Sequence, residues 1–186
     1  MEEIKVNNLI IGNQFEDSEN YQKFLKITKE KNIKVNIVKQ GERINIENNL
    51  YFDILWPNDK IKVTENILNN NSLVSKLNYN NFSVLFTGDI EEIAEKEIIE
   101  KYKNEKGKLQ STIIKIPHHG SKTSSSEEFI NTVNAKIALI GVGENNLFNH
   151  PSNEIIDRLK KYGIKIYRTD INGEISIRIN NKGEIR

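Results

Sequence analysis

Ile114-Lys115-Ile116-Pro117-His118-His119-Gly120-Ser121, with Phe86-Thr87-Gly88-Asp89 before it, are the stretches on which the reading of this chain turns. Each closes a short apolar run rich in β-branched residues, Val84-Leu85-Phe86 in one case and Ile113-Ile114-Lys115-Ile116 in the other. Such runs read as strands. An aspartate and two of the chain's three histidines therefore stand at the C-terminal ends of strands, where α/β sheets gather their ligands. Carboxylate and imidazole suit zinc, manganese or iron, so a metal-linked site is the expectation.

The composition bounds what surrounds that site. At 186 residues the chain has the length of one domain or a piece of a larger one. It carries 27 basic and 26 acidic residues, net +1, which gives no bulk electrostatic case for nucleic acid or an anionic membrane. With no cysteine, disulfides and thiolate metal sites are excluded. No signal peptide is visible, and no apolar stretch approaches the roughly 20 residues of a membrane helix. A chain of this kind is expected in the cytoplasm if it stands alone.

Outward from the two motifs, the pattern alternates strands and helices. Residues 8–12 read as a short buried strand. Asp17 or Ser18 is placed to cap a helix over 19–31, with Tyr21, Phe24, Leu25 and Thr28 as its inner stripe. A half-buried strand over 33–38 follows, then a hairpin of 44–46 and 50–55 around Glu47-Asn48-Asn49. Residues 66–71 read as a polar loop. Strands 73–78 and 82–87 come next, then a helix after Asp89 with Ile93, Ala94, Glu97, Ile98 and Tyr102 inward. Strand 111–116 leads to the histidine pair, and Ser124-Ser125-Ser126 opens a helix burying Phe129, Ile130 and Val133. Strand 136–142, a loop over 143–150, a helix over 154–162 stopped by Gly163, and strands 164–167 and 174–179 complete the chain. The class is mixed α/β, sheets covered by helices, in a single domain over 1–186.

Each candidate residue has a plainer reading beside the functional one. Asp89 is a metal ligand or the N-cap of the following helix. Adjacent histidines in an extended strand end point to opposite sides, so His118 or His119 reaches a metal while the other orients a ligand, acts on substrate or is an ordinary loop histidine. His150, in Asn149-His150-Pro151-Ser152, is a site residue or a surface histidine before a helix. The Ser/Thr-rich stretch 121–126 is a solvated loop or a phosphate contact, with Ser121 and Lys122 as candidate substrate groups. Lys115, Lys122, Arg158, Lys160, Lys161 and Arg168 form either a basic rim or a solvated face.

Taken together, Phe-Thr-Gly-Asp (86–89), Lys-Ile-Pro-His-His-Gly-Ser-Lys-Thr-Ser (115–124), Asn-His-Pro-Ser (149–152), Tyr-Arg-Thr-Asp-Ile-Asn-Gly (167–173) and Asn-Ser-Leu-Val (71–74) resemble the metallo-β-lactamase-fold domain of ComEC-like competence proteins, the membrane proteins of DNA uptake. The resemblance implies an αββα sandwich, a divalent metal (zinc or manganese), and phosphodiester hydrolysis of DNA. By resemblance, Asp89 corresponds to the metal-bridging aspartate, His118 or His119 to a later metal or substrate histidine, and His150 to the family's His-Pro position. The superfamily's His-x-His-x-Asp-His motif has no counterpart, since no histidine precedes His118. The expectation is a C-terminal part of such a domain, binding metal poorly and weak or inactive alone, with DNA and a completing upstream polypeptide as partners and membrane association as part of a full competence protein. The alternatives are a stand-alone hydrolase of a small ester or nucleotide, and a non-catalytic remnant that binds a partner.

Overall fold

The apolar runs that lead into the two motifs lie side by side. In the computed structural model, which describes residues 4–13, 18–59 and 63–186, β6 (Phe82–Phe86) and β7 (Ile113–Lys115) pair in parallel, with Phe86 opposite Lys115. They are the centre of a seven-stranded sheet in sequence order, β3 (Arg43–Glu47), β4 (Leu50–Trp56), β5 (Val74–Tyr79), β6, β7, β8 (Ile137–Ile140) and β9 (Lys165–Arg168). From β3 to β6 the pairing is antiparallel, and from β6 to β9 it is parallel.

The change of sense follows from the connections. The antiparallel strands β5 and β6 are joined by the short turn at Asn80 and Asn81, whereas each parallel pair needs a crossover, as parallel pairing requires. Those crossovers are α3 (Glu92–Tyr102), α4 (Glu127–Val133) and α5 (Asn153–Lys161). Their inner residues, among them Ala94, Ile98, Phe129, Ile130, Ile155 and Leu159, share one core with Leu55, Val74, Leu85, Ile114, Ala138 and Ile140 of the sheet. The three helices thus cover one face, each fully buried large side chain contributing about 1.5–3 kcal/mol. On the other face Phe82, Val84 and Ile113 are met by Ile177 and Ile179 of the C-terminal segment. The mixed α/β class expected from the sequence is the class observed.

Several local expectations change. Residues 174–179 do not form a strand; a single bridge links Ile179 to Ile185, because the isoleucines of this segment cover a sheet face instead of extending a ladder. The asparagine-rich stretch is no open loop: Ile67–Asn70 is a helical turn (α2), and Asn70 is wholly buried. In α3 it is Glu95, not Glu97, that turns fully inward. Strand β1 (Asn8–Gly12) is only partly covered, pairing in parallel with β2 (Lys34–Val38) in a separate two-stranded sheet spanned by α1 (Glu19–Glu30). Ser18 caps α1, accepting from the Tyr21 N–H at 3.2 Å, while Asp17 lies outside the described residues. Of the expected inner stripe of α1 only Thr28 is buried.

Candidate functional site

The site grows from the C-terminal ends of the parallel strands, and its first fixed point is a glycine. Gly88 has φ +55°, and a Cβ there would lie 2.6 Å from Ser72 Cβ. A side chain at this position is excluded twice, by backbone conformation and by space. The close approach lets the Asp89 N–H donate to Ser72 Oγ at 3.2 Å, which directs the chain into the next turn. Helix α3 then begins at Glu92, with Glu91 in the N-cap position. Asp89 is therefore not the helix cap; its side chain stands 40% exposed at the strand edge.

The histidine loop is laced to this edge. Thr87 Oγ1 donates to Lys115 O at 2.6 Å, and the His118 N–H donates to Gly88 O at 3.2 Å. The pair does not lie in an extended strand end, as alternation suggested. Strand β7 stops at Lys115, and Pro117–Gly120 forms a 3-10 turn in which His118 (φ 46°) and His119 (φ 54°) are both left-handed. Two successive non-glycine residues in that region store backbone strain, a feature concentrated at functional sites.

The turn sends the two rings to different partners. His119 Nδ1 lies 2.5 Å from Gly141 O. A carbonyl only accepts, so Nδ1 carries the proton and Nε2 holds the free lone pair in the neutral ring. That Nε2 is 3.7 Å from Asp89 Oδ1, and the His119 side chain is 47% exposed. The result is an accessible imidazole–carboxylate pair whose tautomer is set from behind, the arrangement of a ligand or a proton-transfer group.

His118 turns inward instead. Its Nδ1 is buried, makes no hydrogen bond among the described residues, and sits 3.4 Å from Glu91 Oε1. Glu91 is held on both oxygens. Oε1 accepts from Thr123 Oγ1 at 2.8 Å, and Oε2 from Asn66 Nδ2 at 2.7 Å and Asn70 Nδ2 at 3.2 Å. Burial alone would raise its pKa, but these donors and His118 outweigh it and hold the carboxyl below the usual range. Neither Glu91 nor Asn70 was singled out from sequence; the strand-to-helix junction after Phe-Thr-Gly-Asp was the only signal.

His150 completes the edge from the far side. Its ring meets His118 edge-on at 5.8 Å and stacks on Phe148 at 5.8 Å. Burial first, and then the neighbouring His118 and His119, push its pKa down. With His119, Val142, Asn146, Phe148 and Thr169 it lines a pocket of about 410 Å³. Lys115 lies behind the edge, donating to Ile116 O at 2.8 Å; burial lowers its pKa, with Asp89 acting against that.

Other candidates are not brought here. Ser121 is buried, with Oγ paired to Thr123 Oγ1 at 3.0 Å inside the loop. Lys122 is exposed on the same loop, with no contact to the pocket given by its position. The basic rim is largely neutralised locally: Arg158 pairs with Glu154, Lys161 with Glu127 and Arg168 with Asp170.

A metal needs more donors than these. Among the described residues no three His, Asp or Glu side chains form a group able to hold an ion. Asp89 and His119 converge, His118 is committed to Glu91, and His150 faces His118. The residues present do not fit a resident metal as a closed site.

No family model matches the chain. It is 33% identical over 178 residues to ComE operon protein 3 of Bacillus subtilis, covering 96% of this chain and 22% of that protein. It is 31% identical over 132 residues to competence protein ComA of Neisseria gonorrhoeae, covering 71% of this chain and 18% of that protein. The chain thus spans only about a fifth of the length of these relatives. A solved metallo-β-lactamase-superfamily structure from Thermotoga maritima is similar at 10% identity and TM-score 0.38, over 87% of this chain and 73% of that one, too distant to bear on the chemistry. Among the described residues no helix is long and apolar enough to cross a membrane.

Proposed function

Given that the chain belongs to the family of ComEC-like competence proteins, we propose that it forms a metallo-β-lactamase-fold hydrolytic domain acting on DNA phosphodiesters during DNA uptake, and that its 186 residues alone turn over weakly. The single observation that carries this reading is the His119–Asp89 pair, with the imidazole tautomer fixed by Gly141 O. A neutral ring so oriented offers Nε2 as the proton acceptor for an attacking water. Once charged, it returns the proton to a leaving oxygen, and Asp89 stabilises the imidazolium between the two steps. Because only two protein donors converge, zinc or manganese binds loosely to this chain. The further donors come from polypeptide that these residues do not contain, and that segment is a proposed partner.

The test is cleavage of a single-stranded oligodeoxynucleotide with manganese or zinc, alongside calorimetry of metal binding. Slow cleavage that Asp89→Ala and His119→Ala each remove, with weak metal binding, supports the reading. Cleavage indifferent to both substitutions, or tight metal binding by this chain, overturns it.

A second reading rests on Phe86. It stays 40% exposed on the sheet face away from the helices, in contact with the Phe52 ring at 6.3 Å. An apolar surface left open there favours a role in binding a protein partner without catalysis. Concentration-dependent self-association without turnover would favour it over hydrolysis.

A further inference from the structure

The loop between β8 and α5 exposes its most apolar residues beside the pocket, and hydrogen bonds within it brace its backbone. Leu147 is 94% and Phe148 78% exposed. Yet Asn146 bonds across the loop, its Nδ2 donating to Gly143 O at 3.2 Å and His150 O at 2.8 Å while Oδ1 accepts from the His150 N–H at 2.9 Å. Behind it, the Ser152 N–H donates to Gly120 O at 2.9 Å, tying the loop to the histidine turn. Phe148 is thus held with its ring nearly parallel to His150, at 20° and 5.8 Å. An exposed aromatic ring held in place costs little entropy to bind against, whereas a mobile one would lose freedom.

The pocket it borders carries no carboxylate or ammonium among its lining residues; His119 and His150 are the titratable side chains among them. The charged groups, Asp89 and Lys115, lie at the strand ends. The part of a ligand that enters is therefore uncharged, while its ionised part lies outside the pocket, beside His119. A nucleotide divides its chemistry in this way.

We propose that Phe148, backed by His150, is the platform on which a nucleobase stacks when the adjoining phosphodiester lies at His119 and Asp89. This rests on the phosphodiester reading of the same site and adds the subsite that holds the base. Asn146 is consumed within the loop and the Thr169 hydroxyl is bonded to Val142 at both its N–H and its carbonyl, so base edges meet few free polar groups. Recognition is then by the π-face and tolerant of sequence.

The experiment is equilibrium binding of two fluorescent oligodeoxynucleotides of equal length, one with bases and one abasic, in chelator so that cleavage plays no part. The wild-type chain is expected to prefer the base-bearing strand. Phe148→Ala is expected to weaken that strand roughly ten-fold, leaving the abasic one unchanged, whereas Phe148→Tyr keeps the preference. Equal wild-type affinity for the two strands, or an equal loss on both with Phe148→Ala, overturns the platform. If neither strand binds, the platform falls, and the phosphodiester reading is decided separately by cleavage with added metal. If Phe148-dependent binding is present but no cleavage occurs with added metal, the hydrolytic reading falls and the platform stands.

Discussion

The Glu91 carboxylate lies 3.4 Å from His118 Nδ1 while it accepts from Thr123, Asn66 and Asn70. One side chain thereby joins the helical turn α2, the start of α3 and the loop that follows the histidines. His118 sits beside this anchor, and His119, its neighbour, faces Asp89.

Removing that anchor should be costly. Glu91→Ala strips the acceptor from three donors, two of them on asparagines packed against it, and is expected to cost about 2–4 kcal/mol. Glu91→Gln turns an amide N–H₂ toward donors that need an acceptor, so it should recover only part of the loss. Urea denaturation of the three proteins checks this. A loss under about 0.5 kcal/mol for the alanine variant would show that the network is not holding the loop.

Gly120 gives a sharper test of how the site is assembled. Its φ is +81°, and a Cβ there would lie 2.5 Å from Pro151 Cβ and 3.1 Å from Pro151 Cα. Gly120→Ala is expected to cost about 1–3 kcal/mol in backbone strain and to push the His150 loop away from His118. Gly143, in the pocket wall, has nothing within 4 Å of where a Cβ would lie. Gly143→Ala should be neutral to within about 0.5 kcal/mol. Similar losses at both glycines, read from thermal midpoints and from the His150 ring resonances, would refute the packing argument.

The strands and helices were legible where apolar periodicity met a chemical stop: Val84-Leu85-Phe86 before Thr87-Gly88, Ser152 before α5, Gly163 after it. Asp89 and the His118-His119 pair stood out as candidates too, because acid and imidazole at strand ends are rare, but which histidine faces Asp89 was not legible in the sequence. What stayed hidden had no local signature. In Glu91-Glu92-Ile93-Ala94-Glu95-Lys96-Glu97 any glutamate could face inward, and Glu95 and Glu97 both lie within one helical turn of the buried Ile98, so periodicity alone does not choose between them. The left-handed histidines were hidden as well, since periodicity continues a strand until tertiary contacts stop it. Residues 174–179 show the same limit from the other side: their alternation is real, and it serves packing on a sheet face rather than pairing.

Glu95 carries a prediction because its burial is complete. Its Oε2 accepts from the Ser126 N–H at 2.8 Å and its Oε1 from the Ser125 N–H, at the point where α4 begins. Burial pushes its carboxyl up, against the pull of these backbone donors. Glu95→Ala leaves the Ser125 and Ser126 N–H groups without this acceptor and should cost about 2–4 kcal/mol, more than Glu95→Gln, which keeps one acceptor. The comparison is made by chemical denaturation. Equal small losses for both would mean that water or neighbouring groups replace the carboxylate.

The far edge of the sheet supplies the pH dependence. Asp53 accepts from Arg43 Nε at 2.7 Å and faces Lys108 Nζ at 3.3 Å. Burial alone would raise its pKa from 3.8, yet Arg43 and Lys108 outweigh burial and hold it lower. Between the lowered folded value and 3.8 the unfolded chain binds the proton that the native chain refuses, so stability rises with pH across that window. The contribution is complete above 3.8 and is lost as pH falls toward the folded value. Because Arg43 is itself half exposed, its size is set on the order of 1 kcal/mol. Asp53→Asn removes the titration while keeping the shape. Wild type and variant are therefore compared by urea denaturation from pH 6 down to pH 3, the other carboxylates cancelling in the difference. The stability gap should be constant near neutrality and close as acid protonates Asp53. A gap that stays constant through the acid range would show that Arg43 and Lys108 do not hold the carboxylate in its charged form.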